Sequence, residues 1–164
     1  MQRLIALILV LGLNACGAPD ETSDRTSDET SGETSGETSS SPAPIRLDGS
    51  QWVVTEYRTE SGELAGVMKG SELTMTFGAD GRVTGSAGCN SYFASYALQA
   101  DGVRFGLPGA TRMFCGEPAG LMDQEFRFLS LLEKVAGLRL EGGNLSLMED
   151  GGQPVLVLAP LGNL

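Results

Sequence analysis

One stretch of this chain leaves little choice about what surrounds it. Residues 81–96 read Gly-Arg-Val-Thr-Gly-Ser-Ala-Gly-Cys-Asn-Ser-Tyr-Phe-Ala-Ser-Tyr, a strand-like run, a bend of small residues, a cysteine and a second strand-like run. Gly85, Ser86, Ala87 and Gly88 are too small to fill a core. They belong where the backbone turns sharply or lies close against another backbone. Cys89 has two candidate partners, Cys115 in the segment Thr111-Arg112-Met113-Phe114-Cys115 and Cys16 near the N-terminus. We read Cys89 and Cys115 as bonded to each other, fixing the middle of a small, mostly β domain. Closing a loop of about 27 residues contributes roughly 3–4 kcal/mol in the chain-entropy picture.

Charge and composition remove whole classes of function. The chain carries a net charge of −10 over 164 residues and contains no histidine. Without histidine there is no Ser-His-Asp or Cys-His nucleophile system and no histidine-ligated zinc. Residues 45–164 hold fourteen acids against nine bases, with no cluster of Lys or Arg. Nucleic acid is therefore not expected as a partner, because a phosphate backbone needs a basic face to release its counterions. Nor do residues 85–88 form a phosphate loop, since no lysine and helix start follow them.

The first 44 residues read as address and tether. Met1-Gln2-Arg3 gives a short positive start and residues 4–13 an apolar run too short to span a bilayer, which together have the parts of a secretory signal peptide. Leu13-Asn14-Ala15-Cys16 resembles the lipobox of bacterial lipoproteins. That resemblance implies cleavage after Ala15 and a lipid on Cys16, hence a membrane partner through the anchor. Two or three acyl chains hold stably where one does not. Gly17 after the cysteine resembles lipoproteins sent to an outer membrane, so the expected location is the exported cell envelope, on the periplasmic face of the outer membrane if the cell is Gram-negative. From Glu21 the chain repeats Glu-Thr-Ser-Asp, Arg-Thr-Ser-Asp, Glu-Thr-Ser-Gly, Glu-Thr-Ser-Gly, Glu-Thr-Ser-Ser. Such a segment has nothing to bury and is expected to be a disordered acidic spacer, with a span of about 30 Å over 28 residues. The expected organisation is a signal peptide at 1–15, a lipidated cysteine and tether at 16–44, and one folded domain at 45–164. An exported domain meets oxidising conditions, which suit the proposed disulfide.

Within that domain the pattern is mostly β. Gln51-Trp52-Val53-Val54-Thr55-Glu56-Tyr57-Arg58 is aromatic and β-branched, and Leu73-Thr74-Met75-Thr76-Phe77 alternates apolar with polar residues. The Asp80-Gly81 turn feeds a strand through Val83. Residues 92–98 and 103–105 follow, separated by an expected Asp101-Gly102 turn, and residues 106–109 break the run. Helical spacing occurs once. Leu121, Met122, Phe126, Phe128, Leu129, Leu132 and Val135 form an apolar face opened by Glu117-Pro118 and ended by Gly137, with Asp123, Glu125, Arg127, Glu133 and Lys134 expected in water or on the flank. Three strands close the chain at 138–141, 145–148 and 155–158. The predicted fold is mainly β with one α-helix, a strongly curved antiparallel sheet or small barrel with the helix packed at one open end.

These motifs, taken in order from 81–96 through Met113-Phe114-Cys115, the helix and the closing Leu145-Ser146-Leu147 and Val155-Leu156-Val157-Leu158-Ala159-Pro160, resemble the META domain, also called HslJ-like. The resemblance covers about 110 residues. It implies a disulfide between Cys89 and Cys115, no established enzymatic activity, no cofactor and no catalytic residue to carry over. It also implies kinship with envelope and heat-shock lipoproteins. Many relatives have Met-Ala-Cys where this chain has Met113-Phe114-Cys115. The function expected is therefore a non-enzymatic, membrane-anchored envelope lipoprotein that binds an envelope protein or serves under envelope stress. The rivals are a small-molecule or lipid-binding barrel and a carboxylate-dependent glycan enzyme. If there is a contact surface, Asn90, Tyr92, Tyr96 and Arg112 are its candidates. The alternative for the same residues is structural, with Asn90 and Arg112 supporting the disulfide hairpin and the tyrosines half-buried in a strand.

Overall fold

A computed structural model describes residues 45–99 and 102–162. The lipobox, the tether and residues 100–101 of the expected Asp101-Gly102 turn lie outside the described residues. The elements run β1 (Gln51–Arg58), β2 (Leu64–Gly66), β3 (Thr74–Phe77), β4 (Arg82–Ser86), β5 (Ser91–Gln99), β6 (Gly102–Phe105), β7 (Gly109–Ala110), α1 (Leu121–Leu132), β8 (Val135–Glu141), β9 (Asn144–Glu149) and β10 (Pro154–Pro160). The fold is mostly strand with one helix, and the antiparallel sheet is nearly closed into a barrel.

The strands follow one another in the order β6-β5-β4-β3-β1-β10-β9-β8, with β2 added to β1 and β7 to β5. Each pairing is antiparallel, and the alternation read from the sequence decides which face points in. Along β5, Tyr92, Ala94 and Tyr96 are buried while Ser91, Phe93 and Ser95 face out. In β3, Met75 and Phe77 are buried between half-buried threonines. Trp52 and Val54 of β1, Val83 of β4, Leu145 and Leu147 of β9, and Val155, Leu156 and Leu158 of β10 meet them in one core. Phe77 and Tyr96 pack edge to face with ring centroids 5.0 Å apart. Each such side chain, fully buried, contributes about 1.5–3 kcal/mol.

The small-residue bend is used as its composition demands. A Cβ on Gly85 would lie 2.0 Å from the carbonyl oxygen of Thr74, so only glycine lets β4 cross so near β3. The two ends of the sheet meet in the same manner. A Cβ on Gly102 would sit 2.4 Å from the Ala136 carbonyl oxygen and 2.7 Å from Gly137 Cα, which places the start of β6 against β8 without a ladder between them.

The helix departs from expectation in three respects. It begins at Leu121 rather than beside Pro118, with Gly120, at φ 90°, at the N-cap. It ends at Leu132, and Val135, Ala136 and Gly137 belong to β8. Its buried face comprises Leu121, Gln124, Glu125, Phe128, Leu131 and Leu132, whereas Phe126 is 74% exposed. Glu125 thus points inward and Phe126 outward, the reverse of the reading by hydrophobicity alone. The strands β2 and β7, three and two residues long, were not expected.

Polar bonds dock α1 on one end of the barrel. Arg127 donates from Nε to the Arg58 carbonyl (2.8 Å) and from Nη2 to the Thr59 carbonyl (2.7 Å), at the end of β1. Gln124 accepts from the Met68 N–H (2.8 Å) and donates to Ser71 Oγ (2.7 Å), just before β3. Phe128 fills the opening beneath, edge to face with Tyr92 at 5.3 Å.

Candidate functional site

The tip between β4 and β5 is where helix, sheet and the long segment after β7 converge. Glu125, 6% exposed, reaches it from the helix. Its Oε2 accepts the backbone N–H groups of Asn90 (2.7 Å) and Cys89 (3.2 Å), and its Oε1 accepts from Asn90 Nδ2 (2.7 Å). Three N–H donors replace the water that burial removes from the carboxylate, and no cation is required. Asn90, 2% exposed, passes the connection onward. Its Nδ2 also donates to the Met113 carbonyl (3.1 Å), while its Oδ1 accepts from the Met113 N–H (2.7 Å) and from Thr111 Oγ1 (2.7 Å). Every hydrogen-bonding position of that amide is thereby used. The Cys89–Cys115 disulfide, with Cα atoms 6.0 Å apart, fastens the same segment a second time.

What this double fastening presents to solvent is apolar. Met113 is 60% and Phe114 85% exposed, although the Met113 backbone is held on both sides by Asn90. Arg112 beside them is exposed as well. An open groove of about 570 Å³ runs along the outer face next to this segment, lined by Thr84, Gly85, Ser91, Tyr92, Phe93, Ala110 and Thr111. Phe93 is part of its lining and lies so close over Gly109 that a Cβ there would come 2.7 Å from the ring. Thr111 belongs to both groove and clamp, so the loop and the groove form one continuous surface.

Of the four residues proposed as a contact surface, three are corrected. Asn90, Tyr92 and Tyr96 are buried, at 2%, 2% and 8% exposure. Asn90 supports the hairpin, as the structural alternative held. The tyrosines lie deeper than half-buried because β5 turns them into the barrel. Tyr92 donates to the Thr74 carbonyl (3.0 Å), and burial pushes its phenol well above the ordinary value. Tyr96 has its hydroxyl 2.8 Å from Asp48 Oδ1 and 2.9 Å from the Gly78 carbonyl, with one proton to give them. Burial first, then the bond to Asp48 and the negative charges of Asp48 and Asp80, push its pKa up to about 12. Arg112 alone of the four is on the surface, and it makes no hydrogen bond among the described residues. The Cys89–Cys115 bond is present as read, and Cys16 lies outside the described residues. Among the described residues no three Cys, Asp or Glu side chains gather as a metal site.

Sequence reasoning missed Glu125, Phe93, Met113 and Phe114 as site residues. Glu125 carried a readable signal, since it stands at i+4 from Leu121 and three before Phe128, on the buried stripe.

A nearly closed antiparallel sheet with one helix over its end and a disulfide-tied loop on its rim defines a small, mostly β domain. The META domain family model matches residues 45–160, and the chain belongs to that family. It is similar to a protein from Burkholderia xenovorans solved by NMR, at 28% identity over 71% of this chain and 85% of that one, with a TM-score of 0.58. A second protein solved by NMR shares the fold at 19% identity and a TM-score of 0.51, over 69% of this chain and 90% of that one. A search of curated proteins finds no match to this sequence.

Proposed function

We propose that this META-family protein is a lipid-anchored lipoprotein of the bacterial cell envelope, held through Cys16, whose domain has a non-enzymatic role and binds a partner protein. The observation that carries the binding role is the loop at Arg112, Met113 and Phe114. A large aromatic and a methionine stand in solvent on a backbone that a buried amide and a disulfide both immobilise. Exposing Phe114 has a hydration cost that folding does not recover, whereas a partner that covers it does. A rigid loop also has little conformational entropy left to lose on binding. The barrel interior gives less support to an internal ligand, because Leu73, Met75, Phe77, Val83, Leu147 and Leu156 fill it and are fully buried.

Two experiments separate the halves of this reading. Metabolic labelling with a fatty acid marks the wild-type protein and not Cys16→Ala; label that persists in Cys16→Ala, or never appears on wild type, contradicts the anchor. A photo-reactive side chain at position 114 yields a discrete protein adduct in intact cells, and the same group at the exposed Lys69 does not. Equal adducts from both positions contradict a specific face.

A further inference from the structure

The strand β8 offers an unpaired edge whose charges match a second copy of themselves. It turns into β9 through Gly142 and Gly143, at φ 58° and 83°, which is a two-residue hairpin of the primed type. In such a hairpin the flanking residues, here Glu141 and Asn144, exchange hydrogen bonds, and so does the pair Arg139 and Ser146 two steps on. The N–H and C=O groups of Leu138 and Leu140 consequently point away from β9. On that side β6 comes against β8 at Gly102 and Ala136–Gly137, and among the described residues no strand pairs with 138–141. Leu140 is 45% exposed there, and Arg139 and Glu141 project together, Nε to Oε1 3.6 Å apart.

We propose that two copies of this chain join edge to edge through β8, antiparallel, with the two-fold axis at Leu140. Hydrogen-bond parity lets outward-facing residues pair only with outward-facing residues, which leaves two registers for the free segment. Centred on Arg139, the pairing sets Arg139 against Arg139 of the other copy. Centred on Leu140, it sets Arg139 against Glu141 twice by symmetry, and the two Leu140 residues exchange both backbone hydrogen bonds. Opposite charges directly across a ladder attract and like charges repel, so the charge order selects the Leu140 register. Charged residues on an exposed edge usually block self-pairing. Here one of each sign, two residues apart, does the opposite. This inference stands apart from the loop at Phe114 and holds or fails without it.

The test is disulfide cross-linking of the full chain under oxidising conditions. In the proposed register the two Leu140 Cα atoms lie about 5.5 Å apart, within disulfide reach, and the two Arg139 Cα atoms about 8 Å apart, beyond it. Leu140→Cys therefore gives a linked dimer and Arg139→Cys does not. Adding Arg139→Glu to Leu140→Cys lowers the dimer yield about tenfold, and adding Glu141→Arg to both restores it. All of these positions are exposed, so an unchanged melting temperature shows that the monomer is intact. Absence of the Leu140→Cys dimer, a dimer strongest at Arg139→Cys, or a yield indifferent to the charge exchange overturns the proposal.

Discussion

The two places where this near-barrel has to be closed are closed by different physics. At the helix end, side chains carry the closure. Glu125, Gln124 and Arg127 reach from one helix to three separate loops, and Asn90 and the Cys89–Cys115 bond extend the connection to the segment beyond β7. At the seam between β6 and β8 the closure depends on what is missing. No side chain on Gly102 lets two backbones meet, and no ladder joins them. The first end is specific and directional, and it can hold an exposed loop in place. The second rests on one close backbone approach and leaves backbone groups of residues 138–141 for another strand. That contrast is why we propose a dedicated partner for the loop at Phe114 and a copy of the same chain for the β8 edge.

Substitutions at the two closures sharpen the contrast. Asn90→Ala removes a fully used amide, leaves the Met113 N–H without its acceptor and takes one donor from a buried carboxylate, and it is expected to cost about 3–4 kcal/mol in chemical denaturation. Replacing Cys89 and Cys115 together by serine costs about 3 kcal/mol, read in the same assay under non-reducing conditions. If the two losses add fully, Asn90 and the disulfide hold the loop independently; a smaller sum shows that they act as one unit. At the seam, Gly102→Ala forces two backbones apart and costs about 2 kcal/mol, while leaving hydrogen exchange at Cys89 and Asn90 unchanged. Equal loosening of both ends would erase the distinction.

A smaller effect comes from pH. Tyr96 has a folded pKa near 12 against an ordinary 10.0, so above pH 10 the folded state retains a proton that the unfolded state gives up. Stability is thus full below about pH 10 and falls as pH rises towards 12. Tyr96→Phe removes its share of that alkaline loss and costs about 1 kcal/mol at neutral pH, through the one hydroxyl proton shared by Asp48 and the Gly78 carbonyl.

Most of the sheet could be read directly from the sequence, because alternation over β3, the first half of β1 and β5 as far as Tyr96 matches burial. The helix end was harder to read. Its apolar spacing located α1, but hydrophobicity placed Glu125 in water and Phe126 in the core, and the structure reverses both. A carboxylate is buried when several donors converge on it, and those donors come from the tip 35 residues earlier, beyond the reach of any local pattern. The sequence offers Tyr92 and Tyr96 either as a contact surface or as half-buried strand residues, and both sit deeper than either reading. Their register in β5, alternating with Ser91, Phe93 and Ser95, contained the answer and pointed to Phe93 as the outward ring. The strands β2 and β7 are too short to have a period.

The most direct test of the account is Phe114→Ser, measured for stability and for partner capture in the same preparation. The loop holds its shape through Asn90 and the disulfide, not through the Phe114 ring, so unfolding free energy is predicted to change by no more than about 0.5 kcal/mol. Photo-adducts from a probe at the neighbouring Met113 are predicted to disappear. A large drop in stability, or adducts that persist undiminished, would contradict a face that is built by one set of residues and used by another.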